Sequence, residues 1–200
     1  DTTISGVKVQ YETSGTNLTT SSVTLSGEVA GVALSHEIHD ASTDTSVSGS
    51  FGGVNVAYRS IDSDLANSDE SSLEVSTEVQ GVTLTYAEID VDGTGNTTSD
   101  AFFGTFDGTT TACGVGSAGT DCINEATGFG ASMALAGNTV TLKSYDVKTI
   151  STNNDDSYTK VVVNRPLASG TTLEVTYTDK DAQGTDADVE TVDVELAVKF

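Results

Sequence analysis

The sequence predicts an all-β chain folded as an antiparallel, up-and-down transmembrane β-barrel, a single domain over residues 1–200 with about 12 strands. Three observations predict it. The closing stretch, 188–200, alternates Val192, Val194, Leu196, Val198 and Phe200 with Thr191, Asp193, Glu195, Ala197 and Lys199, and a period of two sets one strand face against an apolar medium and the other against water. A phrase recurs as Gly31-Val-Ala-Leu-Ser-His-Glu-Ile-His-Asp40, Gly53-Val-Asn-Val-Ala-Tyr-Arg-Ser-Ile-Asp62 and Gly81-Val-Thr-Leu-Thr-Tyr-Ala-Glu-Ile-Asp90. Each copy leaves a tight turn, alternates and runs into acidic residues, so the repeating unit is a β-hairpin. Finally, the hairpin ends are short on one side and long and hydrophilic on the other, which suits a sheet that crosses lipid and closes to leave no edge.

The elements follow in order. Residues 2–12 carry Val7, Val9 and Tyr11, and 18–29 carry Val23, Leu25 and Val29 before Ala30-Gly31 turns the chain into 31–39. A polar connection, 39–45, leads to 46–52, which Gly52-Gly53 joins to 53–61 with Val54, Val56 and Tyr58. The acidic segment 62–70 precedes 71–80, and Gln80-Gly81 opens 81–90 with Val82, Leu84 and Tyr86. After the longest connection, 91–125, strands 126–136 and 138–147 meet at Ala136-Gly137-Asn138. Strands 157–165 and 171–179 follow the connection 148–156 and flank Pro166, whose missing amide donor costs no ladder bond at a turn. Strand 188–200 comes last. Glycine at the tight ends tolerates the positive φ of short hairpins. An even strand number places both ends of the chain on the periplasmic side.

Composition narrows the class further. No stretch reaches the roughly 20 consecutive apolar residues of a spanning helix, and no helical period is sustained, so helical membrane proteins are excluded. Hydrophobic residues make up 36% of the chain, enough for a barrel because only every second strand residue has to be apolar. Without a basic, apolar leader at its start, the chain reads as beginning at a processed or trimmed Asp1. The formal charge of -22 argues against nucleic acid or anionic lipid as partners and makes cations the natural counter-ions. Cys113 and Cys122, the two cysteines, share one Gly/Ser/Thr-rich loop and are expected to form a local disulfide, as an oxidising compartment permits.

The tail carries a family resemblance. Pro-Leu-Ala-Ser-Gly-Thr-Thr-Leu-Glu-Val-Thr-Tyr-Thr-Asp over 166–179, the acidic loop after it, and Thr-Val-Asp-Val-Glu-Leu-Ala-Val-Lys-Phe over 191–200 resemble the last turn, penultimate strand and closing strand of the Gram-negative general porins. Thr3-Ile-Ser-Gly-Val-Lys-Val-Gln-Tyr11 is similar to a porin first strand. The resemblance implies a bacterial outer-membrane protein surrounded by lipid and lipopolysaccharide. It also implies a homotrimer of barrels of roughly 16 strands, each with an inward-folded loop that narrows the pore. With fewer strands, this chain is expected to be a smaller barrel or the carboxy-terminal part of a larger one.

Strand parity then assigns residues to faces. Lys8, Glu28, Glu37, Arg59, Glu74, Glu78, Lys143, Lys160, Glu174, Asp193, Glu195 and Lys199 point to the lumen, where charge tunes permeation. Tyr11, Tyr58, Tyr86 and Tyr177 share one height as interfacial anchors, with Phe200 at the opposite rim. Within 91–125, Phe102, Phe103, Phe106 and Asp107 are candidates for a constriction, against an extra hairpin packed outside the lumen. Asp90 and Asp92 head an incomplete calcium-loop pattern, so surface calcium or magnesium is an open reading, and no other cofactor is expected. No nucleophile, base and orienting group occur in a recognisable set, so no catalytic residue is assigned and the chain is not expected to be an enzyme.

The function these readings imply is passive diffusion of small hydrophilic solutes or ions through a mildly cation-selective pore. Two alternatives stand beside it: a soluble, acidic β-rich surface or adhesive protein, and a plugged barrel that serves as an anchor.

Overall fold

The computed structural model describes residues 2–4, 6–14, 20–63, 69–92, 123–149, 155–167, 170–183 and 188–198. These form one antiparallel sheet of 13 strands in sequential order, with no helix among the described residues. The strands are β1 (Thr2–Ile4), β2 (Val7–Ser14), β3 (Thr20–Val29), β4 (Val32–His39), β5 (Ser42–Phe51), β6 (Val54–Ser63) and β7 (Asp69–Val79). They continue as β8 (Val82–Asp92), β9 (Ile123–Leu135), β10 (Asn138–Thr149), β11 (Asp155–Pro166), β12 (Thr171–Asp181) and β13 (Val189–Val198).

The tight ends are where the glycines predict them. Val29 pairs with Val32, Phe51 with Val54, Val79 with Val82 and Leu135 with Asn138. Each pair flanks two residues of positive φ, such as Gln80 at 54° and Gly81 at 80°. Positive φ at both central positions defines a type I′ turn, whose twist matches that of the strands it joins.

Two expectations are corrected. The stretch 2–12 is two strands, because Gly6 (φ 86°) turns the chain so that Ile4 pairs with Val7 and Thr2 with Val9. The described residues thus form 13 strands, in keeping with the roughly 12 expected. Even-numbered residues of β1 thereby come into register with odd-numbered residues of β2. The long polar connection expected over 39–45 is a two-residue turn, Asp40 and Ala41, because β5 begins at Ser42. Ser42, Asp44, Ser46, Ser48 and Ser50 form a polar face on β5, so this strand begins with no apolar signal. At several other loop ends the strands run further than expected, to Ser63, Asp92 and Asp181.

Asp40 secures its turn by accepting hydrogen bonds from the Ser21 amide (3.1 Å) and the Ser21 hydroxyl (2.7 Å). The Ser21 hydroxyl, then the Ser21 amide, stabilise the charged carboxylate and hold its pKa below the usual aspartate value, with His39 adding a smaller contribution. A depressed folded-state pKa contributes stability that is present above the unfolded value, near 3.8, and is lost as pH falls through the folded value. The Asp40 carboxyl is therefore expected to titrate below 3.8 by carbon-detected NMR, with the Ser21 amide resonance moving in step. In Ser21→Ala the midpoint moves up towards the ordinary value.

Candidate functional site

The register divides the sheet into two chemically distinct faces. On one, the rung Val54, Thr77, Leu84 and Ala131 is followed by the rung Val56, Val75, Tyr86 and Phe129. On β12 and β13 the same face carries Leu173 opposite Leu196, Val175 opposite Val194 and Tyr177 opposite Val192. These side chains are open: Val194 is 66% exposed, Leu196 60% and Tyr11 64%. Among the described residues no second sheet covers this face, since all 13 strands belong to one sheet. An exposed apolar face of this extent marks a surface for contact with protein or membrane.

Tyr11, Tyr58, Tyr86 and Tyr177 all lie on this apolar face, opposite Val23, Val47, Val75 and Val192 respectively. Towards the loop end, carboxylates succeed the rings. Tyr86 donates a hydrogen bond of 2.6 Å to Glu88, two residues on, and Asp179 follows Tyr177 with the same spacing. Asp90 continues the acidic end of β8, opposite Ser71 and Glu125, and Asp92 ends that strand opposite Asp69. Among the described residues, no three His, Cys, Asp or Glu side chains gather to hold a metal ion.

The other face is polar. It brings together Lys8, Glu28, Glu37, Arg59, Glu74, Glu78, Lys143, Lys160, Glu174, Asp193 and Glu195. Several face a like charge across the ladder: Glu37 opposite Asp44, Lys143 opposite Lys160, Glu174 opposite Glu195. Such pairs are unfavourable, and neighbours offset them. Arg59 grips Asp44 through Nε (3.1 Å to both oxygens) and a terminal nitrogen (2.6 Å), and Asn164 donates to Glu174 at 3.1 Å. Along β2, Lys8 donates to Gln10 (2.9 Å) and Gln10 to Glu12.

Near the loop end of β8 to β11 the polar face changes character. Ala87, Ile89, Val91, Ala126, Tyr145 and Val147 form a buried cluster, with Tyr158 packed against it. Tyr145 stands opposite Gly128 and stacks on Tyr158 with centroids 5.0 Å apart and planes 11° from parallel. Lys180 lies 5.7 Å above the Tyr158 ring and pairs with the nearly buried Asp156 at 2.8 Å. Asp156 also accepts the Gln183 amide at 3.1 Å.

Asp44, Glu70, Asp156 and Lys180 join the polar face although the sequence places them in connections. Each continues the period-two phase of its strand, and extending that phase past the aromatic level is the signal that finds them. Lys199, Phe200, the Phe102, Phe103, Phe106 and Asp107 segment and the Cys113 and Cys122 pairing lie outside the described residues.

A polar face with mixed charge and an exposed apolar face, on one up-and-down antiparallel sheet, define the class of fold. Comparison with solved structures matches that fold to a porin, with a TM-score of 0.53 and 14% sequence identity over 90% of this chain. The chain spans 62% of the length of that porin chain. No family model matches the chain, and no curated protein sequence matches it.

Proposed function

We propose that the chain acts in a bacterial outer membrane as a non-enzymatic, porin-like channel for passive diffusion of small hydrophilic solutes. The observation that carries this reading is the division of faces: a continuous exposed apolar surface beside a charged, hydroxyl-rich one on the same sheet. Lipid and lipopolysaccharide meet the apolar face, closure of the ladder into a ring makes the polar face the wall of a lumen, and trimers assemble through part of the apolar face. Folded barrel in detergent is expected to migrate differently on electrophoresis before and after boiling, and to raise planar-bilayer conductance in steps. A chain that remains soluble without detergent and never conducts would overturn the reading.

Carboxylates outnumber cations on the polar face, so cations are favoured within a Debye length of the wall, about 10 Å at 0.1 M salt. Under a KCl gradient the reversal potential takes the sign of cation preference. Glu74→Gln combined with Glu78→Gln reduces it, and an anion-selective wild type contradicts the assignment. The effect shrinks at 1 M salt, where the Debye length is about 3 Å.

A further inference from the structure

On the polar face β8 and β9 form an uncharged strip between two charged walls. β8 contributes Thr83, Thr85, Ala87, Ile89 and Val91, and β9 contributes Ala126, Gly128, Gly130, Ser132 and Ala134. One wall is β7, where Glu70, Glu74 and Glu78 recur every four residues and so share the polar face. The other is the β10 and β11 pair, with Lys143 directly opposite Lys160. Three interstrand steps of roughly 4.8 Å separate the main chains of β7 and β10 by about 14 Å.

In the lower half of the strip the surface sinks into a depression of about 230 Å³. Glu74 stands on one flank, Lys143 on the other, Gly130 lies between them, and Thr83, Thr85, Ser132 and Thr141 add hydroxyls. Ser132 and Thr141 are 3.0 Å apart and hydrogen-bonded, which fixes two of those hydroxyls. A solute that is only a cation gains at Glu74 but is repelled by the Lys143 and Lys160 rung. One that is only an anion gains at the lysines but meets the row of glutamates. A molecule carrying both charges satisfies both walls, and its polar middle finds hydroxyl partners.

We propose that this depression is a binding site for a small zwitterion, its carboxylate at Lys143 and its ammonium at Glu74. The proposal deepens the channel reading and rests on it for how solute reaches the wall. The test uses the whole chain in detergent micelles with 4-aminobutyrate as probe, titrated calorimetrically. Saturable binding is expected, with Glu74→Gln and Lys143→Gln each weakening it about tenfold, the scale of one lost charge-assisted hydrogen bond. The swap of Glu74→Lys with Lys143→Glu restores binding in the reversed orientation. Gly130→Val fills the floor and abolishes binding. The backbone there accepts a Cβ, which would meet the Thr85 Cβ at 3.7 Å and the Leu142 carbonyl at 3.9 Å, ordinary contacts. Absence of saturable binding by wild type, equal binding of butyrate and butylamine, or binding that survives Gly130→Val would overturn the proposal. Bilayer conductance separates the two readings: a chain that conducts without binding 4-aminobutyrate retains the channel and loses the site, and one that binds without conducting does the reverse.

Discussion

Replacing Tyr145 with alanine is expected to lower the unfolding free energy by about 3–5 kcal/mol, the range for truncating a buried aromatic ring. Tyr145 is 2% exposed, stacks on Tyr158 and closes a cluster with Ala87, Ile89, Val91, Ala126 and Val147. The cavity left by alanine cannot collapse easily, because the flanking positions on β9, Ala126 and Gly128, have little or no side chain to move into it. Tyr145→Phe keeps the ring and most of the stability. Urea unfolding of the chain in lipid vesicles, followed by tyrosine fluorescence or circular dichroism, measures both. A loss below 1 kcal/mol for the alanine variant would mean that the cluster is not a cohesive part of the fold.

The second large effect separates the two faces at neighbouring residues. Val56→Arg sets a charge in the middle of the apolar band, between Val54 and Tyr58, and is expected to cost about 2–4 kcal/mol when the chain is folded into a bilayer. Asn55→Arg, one residue earlier and on the polar face opposite Ser50 and Ser76, is expected to stay within about 0.5 kcal/mol of wild type. The same vesicle unfolding assay reads both variants. Equal tolerance at the two sites would show that the apolar face does not meet lipid, and would remove the main support for the channel reading.

Residues with apolar phase were legible as sequence. Val54, Val56 and Tyr58, Val82, Leu84 and Tyr86, and Leu173, Val175 and Tyr177 each announce a strand and its face, and the glycines at Gly31, Gly53, Gly81 and Gly137 announce the turns between them. Strand ends beyond the aromatic level were not legible. There the phase that is apolar nearer the turns becomes polar, as at Asp62, Asp90 and Asp179, and a strand end without its apolar phase reads like a loop when hydropathy is the only guide. The start of β5 was hidden for the same reason, since Ser42 to Thr45 carry no apolar side chain. The β1 and β2 hairpin was not legible either, because three residues of β1 make too short a run to separate from noise.

Period-two alternation and turn glycines determined by themselves that this chain forms an up-and-down antiparallel sheet with one apolar and one charged face. Those features are local: a side chain's face follows from its parity along one strand, and a turn follows from the two residues that make it. The tertiary structure decided which strands' residues become neighbours. Only register sets Lys143 against Lys160, lays Tyr145 over Gly128 and onto Tyr158, joins Arg59 to Asp44, and opens a depression at Gly130 between Glu74 and Lys143. Register depends on where each hairpin turns and how far each ladder runs. A one-residue change in either moves every cross-strand partner, so the pairwise chemistry of the polar face is a property of the assembled sheet.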